Sequence, residues 1–126
     1  MRLRLQRRQR IDTQGLTPFE RAVLRFNTAE TRRTVAGLVR TLGEPVASVG
    51  AAAGASDRVR ITVAWHLAWY QWGVDLGDEA RGVFELGSGK RIGELEAAAR
   101  QWNASVLEDG RIVLVAPRRR GAGRRR

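Results

Sequence analysis

Between Arg58 and Tyr70 a large apolar residue falls at every second position. Val59, Ile61, Val63, Trp65, Leu67 and Trp69 share one parity; Arg58, Arg60, Thr62, Ala64, His66, Ala68 and Tyr70 share the other. A period of two sends successive side chains to opposite faces of a strand. Val59, Ile61 and Val63 are β-branched, which suits an extended backbone. The spacing predicts one long, half-buried strand with Trp65 and Trp69 in the core. Trp65, Trp69, Trp72 and Leu76 also fall at helical spacing, but the β-branched opening favours the strand. If the strand stays regular, Arg58, Arg60, His66, Tyr70 and Trp72 all project from its polar face.

The flanking segments supply the rest of a sheet and its cover. Thr17-Pro18-Phe19-Glu20 reads as a capping box, with the proline where its missing N–H costs nothing. Phe19, Val23 and Phe26 share the face of the helix that follows, and Val35, Leu38, Val39 and Leu42 continue it. Asn27-Thr28-Ala29-Glu30 resembles a second capping box, which predicts a break or kink there. Gly43 and Pro45 end the helix. Strands are expected at Val46–Ala52 and Val83–Leu86, a loop at Gly73–Arg81, and a turn at Gly87-Ser88-Gly89. A second helix is expected from Lys90 to Asn103, burying Ile92, Leu95, Ala99 and Trp102. A hairpin follows, Ala104–Glu108 and Arg111–Val115, joined at Asp109-Gly110. The order α-β-β-β-α-β-β gives an α+β fold: one small domain, an antiparallel sheet with two main helices on one face.

The charge is divided sharply along the chain. Its formal net value is +10. The N-terminal stretch carries Arg2, Arg4, Arg7, Arg8 and Arg10, and the C-terminal stretch carries Arg118, Arg119, Arg120, Arg124, Arg125 and Arg126; neither holds an acid. Removing those eleven arginines from the total of 23 Lys+Arg leaves 12 against 13 Asp+Glu, so residues 12–116 are net −1. The expected organisation is a basic arm over 1–15, a globular domain over 16–116 and an arginine-rich tail over 117–126, both ends being disordered. All the cations but Lys90 are arginine, as in a GC-rich, bacterial coding sequence. There is no cysteine and one histidine, so neither disulfides nor a zinc site are expected, and a reducing cytoplasm suits the chain. No apolar run approaches the ~20 residues of a membrane span, nor does the start read as a secretory signal.

No motif names a chemistry. Val83-Phe84-Glu85-Leu86-Gly87-Ser88-Gly89 resembles the first motif of nucleotide-fold methyltransferases, a strand ending in acid-x-Gly-x-Gly before a helix. In that family the resemblance implies backbone approaching a cofactor at a helix start. Arg91 occupies the usual third-glycine position, and too little chain follows for a doubly wound sheet. A tight strand-to-helix turn uses the same glycines. Ser88-Gly89-Lys90 lacks the remaining residues of a phosphate loop. His66 has no acid or serine spaced to form a relay, and Asp75, Asp78 and Glu79 match no calcium loop. No catalytic residue, metal ligand or cofactor is therefore expected.

Three roles remain. The first is a non-enzymatic binding module whose arginine-rich ends attract RNA or DNA. The second is a protein-only module that dimerises through the face of Arg58, Arg60, His66, Tyr70 and Trp72; aromatics and arginines on an open sheet would alternatively stack bases. The third is a small-ligand pocket under Trp65, Trp69 and Trp102. Every cap, turn and periodic segment lies between Thr17 and Val115. Deleting residues 1–11 and 117–126 should thus leave the melting temperature nearly unchanged. A large drop would make the N-terminal arm a strand of the sheet.

Overall fold

The computed structural model describes residues 15–54 and 57–115. Helix α1 (Pro18–Asn27) starts at the expected capping box: the Glu20 N–H donates to Thr17 Oγ1 at 3.1 Å, and the Thr17 N–H donates to Glu20 Oε1 at 2.8 Å. Helix α2 (Thr31–Leu42) follows after a short break and stops at Gly43, whose φ is +96°. The break falls where the second capping box was expected, but Asn27 is not its cap. Asn27 is the last residue of α1, and Glu30 precedes α2 without a side-chain cap.

Six strands then form one antiparallel sheet: β1 (Val46–Ala51), β2 (Arg58–Trp65), β3 (Ala68–Asp75), β4 (Phe84–Gly89), β5 (Ala104–Val106) and β6 (Ile112–Leu114). Their spatial order is β4-β3-β2-β1-β5-β6. The chain meanders outward from β1 to β4, then returns across the sheet to place β5 on the other side of β1. Ala22, Val23 and Phe26 of α1 and Val35 of α2 pack against Ala47, Val49, Val59, Ile61, Val63, Trp65, Trp72, Val74, Ala104 and Ile112. The fold is α+β, with both helices on one face of the sheet. The helices are consecutive at the N-terminal side, so the element order differs from the one expected.

The long strand is a hairpin. Trp65 pairs with Ala68 around a two-residue turn at His66 and Leu67. Ala64 then faces Trp69, Val63 faces Tyr70, and Ile61 faces Trp72. Cross-strand partners share a face, so odd-numbered residues before the turn share a face with even-numbered ones after it. Trp65 is in the core as expected, but Trp69 lies on the opposite face, and Tyr70 and Trp72 take its place. Leu67 sits at the turn, 72% exposed. Because β3 runs to Asp75, the loop expected from Gly73 begins later.

Two further segments differ. The Gly87-Ser88-Gly89 segment continues β4 rather than turning. The Trp69 indole lies along it: a Cβ at Gly89 would meet that ring at 2.5 Å. Its glycines make room for an aromatic on the neighbouring strand, which removes the likeness to a cofactor loop. Segment 90–103 is not a helix but holds two single 3₁₀ turns, Ile92–Glu94 and Ala97–Ala99. Between them Leu95 and Glu96 are extended, so the helical spacing of Ile92, Leu95 and Ala99 is overridden by contacts with the sheet.

Trp72 is 6% exposed and meets the Phe26 ring edge-on at 5.6 Å between centroids. Truncating a buried tryptophan to alanine costs ~3–5 kcal/mol, so Trp72→Ala should lower the melting temperature steeply. Leu67→Ser should leave it within the ~0.5 kcal/mol usual for surface changes. The reverse ranking in thermal denaturation would contradict the hairpin register.

Candidate functional site

The five residues expected on one open face do not assemble there. Tyr70 packs against the core, edge-on to Trp65 at 6.1 Å and stacked on Trp72 at 5.9 Å. His66 is exposed at the hairpin turn. Only Arg58 and Arg60 stay on the face away from the helices. Arg58 lies near Asp75, 3.6 Å away, and over the Phe84 ring, which Arg81 also covers at 3.7 Å from its centroid. The cause is the turn: it hands the aromatic residues of β3 to the helix side. Trp65 and Trp69 now point to opposite faces, so they cannot line one closed pocket with Trp102. The eleven terminal arginines lie outside the described residues.

The face away from the helices is covered as well. Segment 90–103 crosses it, and β2 is buried along both faces, with Ala64 and Thr62 at 1% exposure. Several contacts beneath this strap are polar. Arg60 donates to Glu96 Oε2 at 2.7 Å, with the arginine side chain 9% exposed and the glutamate 59%. Trp69 Nε1 donates to Glu94 Oε1 at 3.0 Å. The Gln101 N–H donates to Ser48 Oγ at 3.1 Å, and Gln71 Nε2 donates to Thr62 Oγ1 at 3.1 Å. Leu95 and Ala99 are the strap's buried apolar residues.

Magnitudes show how the strap is held. Fully burying one leucine is worth ~1.5–3 kcal/mol. Depriving a buried ion of its partner costs ~3–5 kcal/mol, less here because Glu96 is mostly in water. The polar and apolar holds are thus comparable. Glu94 and Glu96 were not singled out in the sequence, where helical periodicity dominated the segment. The one available signal was Gly93, a poor helix residue just before them.

Two hollows remain. One, about 260 Å³, lies between α1 and the loop after β3, lined by Arg21, Leu24, Arg25, Leu76 and Glu79. Its Arg25 guanidinium is committed to the Asp75, Asp78 and Arg81 carbonyls. The other, about 150 Å³, is an apolar dimple beside His66 and Leu67. Among the described residues no three His, Cys, Asp or Glu side chains are grouped to hold a metal ion, and no helix is long and apolar enough to cross a membrane. No protein-family model matches the chain, and comparison with curated proteins and with solved structures gives no significant match.

Glu94 accepts from the Arg91 N–H, the Trp69 indole and the Lys90 N–H, which hold its carboxyl below the usual value near 4.5. A depressed carboxyl contributes stability that is present above its unfolded value and lost as pH falls through its folded one. Glu94→Gln should therefore lower the melting temperature at neutral pH, and the gap to wild type should narrow well below pH 4.5. A gap that stays constant on acidification would remove Glu94 as an ionised anchor of the strap.

Proposed function

We propose that this protein is a non-enzymatic binding module, and that its arginine-rich ends attract RNA or DNA without sequence preference. The observation that carries this reading is the partition of charge: eleven arginines and no acid in the two ends, against a net −1 over residues 12–116. Long-range attraction to a polyanion must then come from the ends. The geometry of the domain supports the same division. Tyr70 and Trp72 are spent on the core, so the aromatic face that would stack bases is occupied by α1. The cysteine-free chain fits a cytoplasmic setting.

Arginine–phosphate binding of this kind proceeds by counterion release, with log K falling by ~0.7–0.9 per neutralised phosphate for each decade of salt. With about half of the terminal arginines engaged, fluorescence anisotropy on a labelled oligonucleotide should give a slope of about −4 to −5. Affinity should vary little with sequence. Deleting both ends should abolish binding at moderate salt. A deleted protein that still binds tightly would transfer the activity to the domain. A full-length protein that binds no nucleic acid at low salt would overturn the reading.

A further inference from the structure

The strap over 90–103 combines three properties that together make a cover. Its backbone is irregular, with two single turns and two buried apolar residues. Elements with few apolar anchors and little regular hydrogen bonding open locally, at free energies below that of global unfolding. The surface beneath carries polar groups on Arg60, Thr62, Gln71, Ser48 and the Trp69 indole, beside the small Ala64. Lifting the strap exposes little of the hydrophobic core, because that core lies between the sheet's other face and the helices.

The third property is the way the strap is fastened. A mostly exposed carboxylate, Glu96, reaches inward to a guanidinium that is nine-tenths buried, at 2.7 Å. An unpaired buried cation is strongly disfavoured, and Arg60 can reach water only if the strap moves. Loss of the Glu96 contact therefore favours opening. A carboxylate oxygen on a guanidinium occupies the place a phosphate oxygen would take, while Glu94 engages the indole of an aromatic suited to stacking a base.

We propose that segment 90–103 is a latched cover that opens as a unit, with Glu96 on Arg60 as its latch, and that a phosphate of a single-stranded nucleic acid displaces that carboxylate. The strap is then an acidic stand-in for the ligand, and the terminal arginines deliver the ligand that competes with it. The ligand in this scheme rests on the polyanion reading; the opening does not.

The test is hydrogen exchange of the full-length protein, free and with a short oligouridylate at low salt, alongside binding measurements. Glu96→Gln is compared with Glu108→Gln, the same charge change at an exposed position of the last hairpin. The proposal expects exchange over 92–101 to exceed that of β2 in the free protein. It expects that exchange to rise several-fold with Glu96→Gln while β2 is unchanged, and to rise on adding oligouridylate to wild type. Glu96→Gln should also tighten binding more than Glu108→Gln does. Strap amides that exchange only as slowly as those of β2 in every state would overturn it. Oligouridylate that binds without altering exchange over 92–101 would overturn this proposal and leave the polyanion reading standing. No binding at all would overturn the polyanion reading and the ligand assigned to the cover, while the exchange of 92–101 against β2 in the free protein still decides its opening.

Discussion

The two-residue turn at His66 and Leu67 decides which side chains meet the helices. Pairing Trp65 with Ala68 puts Val63 beside Tyr70 and Ile61 beside Trp72. Phe26 on α1 then has Trp72 to pack against, and Tyr70 bridges Trp72 and Trp65. A register slip of one residue would turn every side chain of β3 over. It would bring Trp69 and Gln71 to the helix side and carry Tyr70 and Trp72 away from Phe26. Much of the aromatic core depends on this one short connection.

Two asparagine side chains act as backbone where a strand lacks a neighbour. The Asn27 amide donates to the Ile112 carbonyl at 3.0 Å and accepts the Ile112 N–H at 2.8 Å, joining the end of α1 to β6. The Asn103 amide does the same for Val49, at 3.0 and 2.8 Å, where β5 has not yet begun. Each asparagine thus meets a strand's two polar groups as a neighbouring peptide would, at a typical net gain of ~0.5–1.5 kcal/mol per hydrogen bond. The hairpin β5–β6 is seated against α2 through Gly110, whose φ is +88° and whose missing side chain leaves room for the Arg32 carbonyl. The Asp109 carbonyl accepts from Arg32 Nη1 at 2.7 Å alongside.

Signals confined to a few neighbouring residues were legible in the sequence. The capping box at Thr17, the stop at Gly43, the turn at Asp109-Gly110 and the α+β class all carry their physics locally. The alternation from Val59 to Trp65 was equally plain. It could not reveal its own interruption, because His66 and Leu67 continue the pattern of apolar and polar residues and neither is a glycine or proline. The strap failed for the opposite reason. Its spacing of Ile92, Leu95 and Ala99 is helical, but Glu94 and Glu96 are drawn to Trp69 and Arg60, partners more than twenty residues away. Asn27 stands where a cap would, a common use of asparagine at a helix end, but it serves a strand far along the chain.

These elements give a domain with both sheet faces occupied, one by helices and one by a polar strap, and most of its net charge placed outside it. The aromatic residues that would have offered a stacking platform build the core instead. In the proposed reading, recognition falls to the arginine-rich ends and to whatever the strap uncovers. It stands on the register of β2 and β3. Nuclear Overhauser contacts of the Phe26 ring measure that register directly. The account predicts strong contacts from Phe26 to the Trp72 indole and none to Trp69. Contacts from Phe26 to Trp69, with Trp72 free of the core, would contradict it.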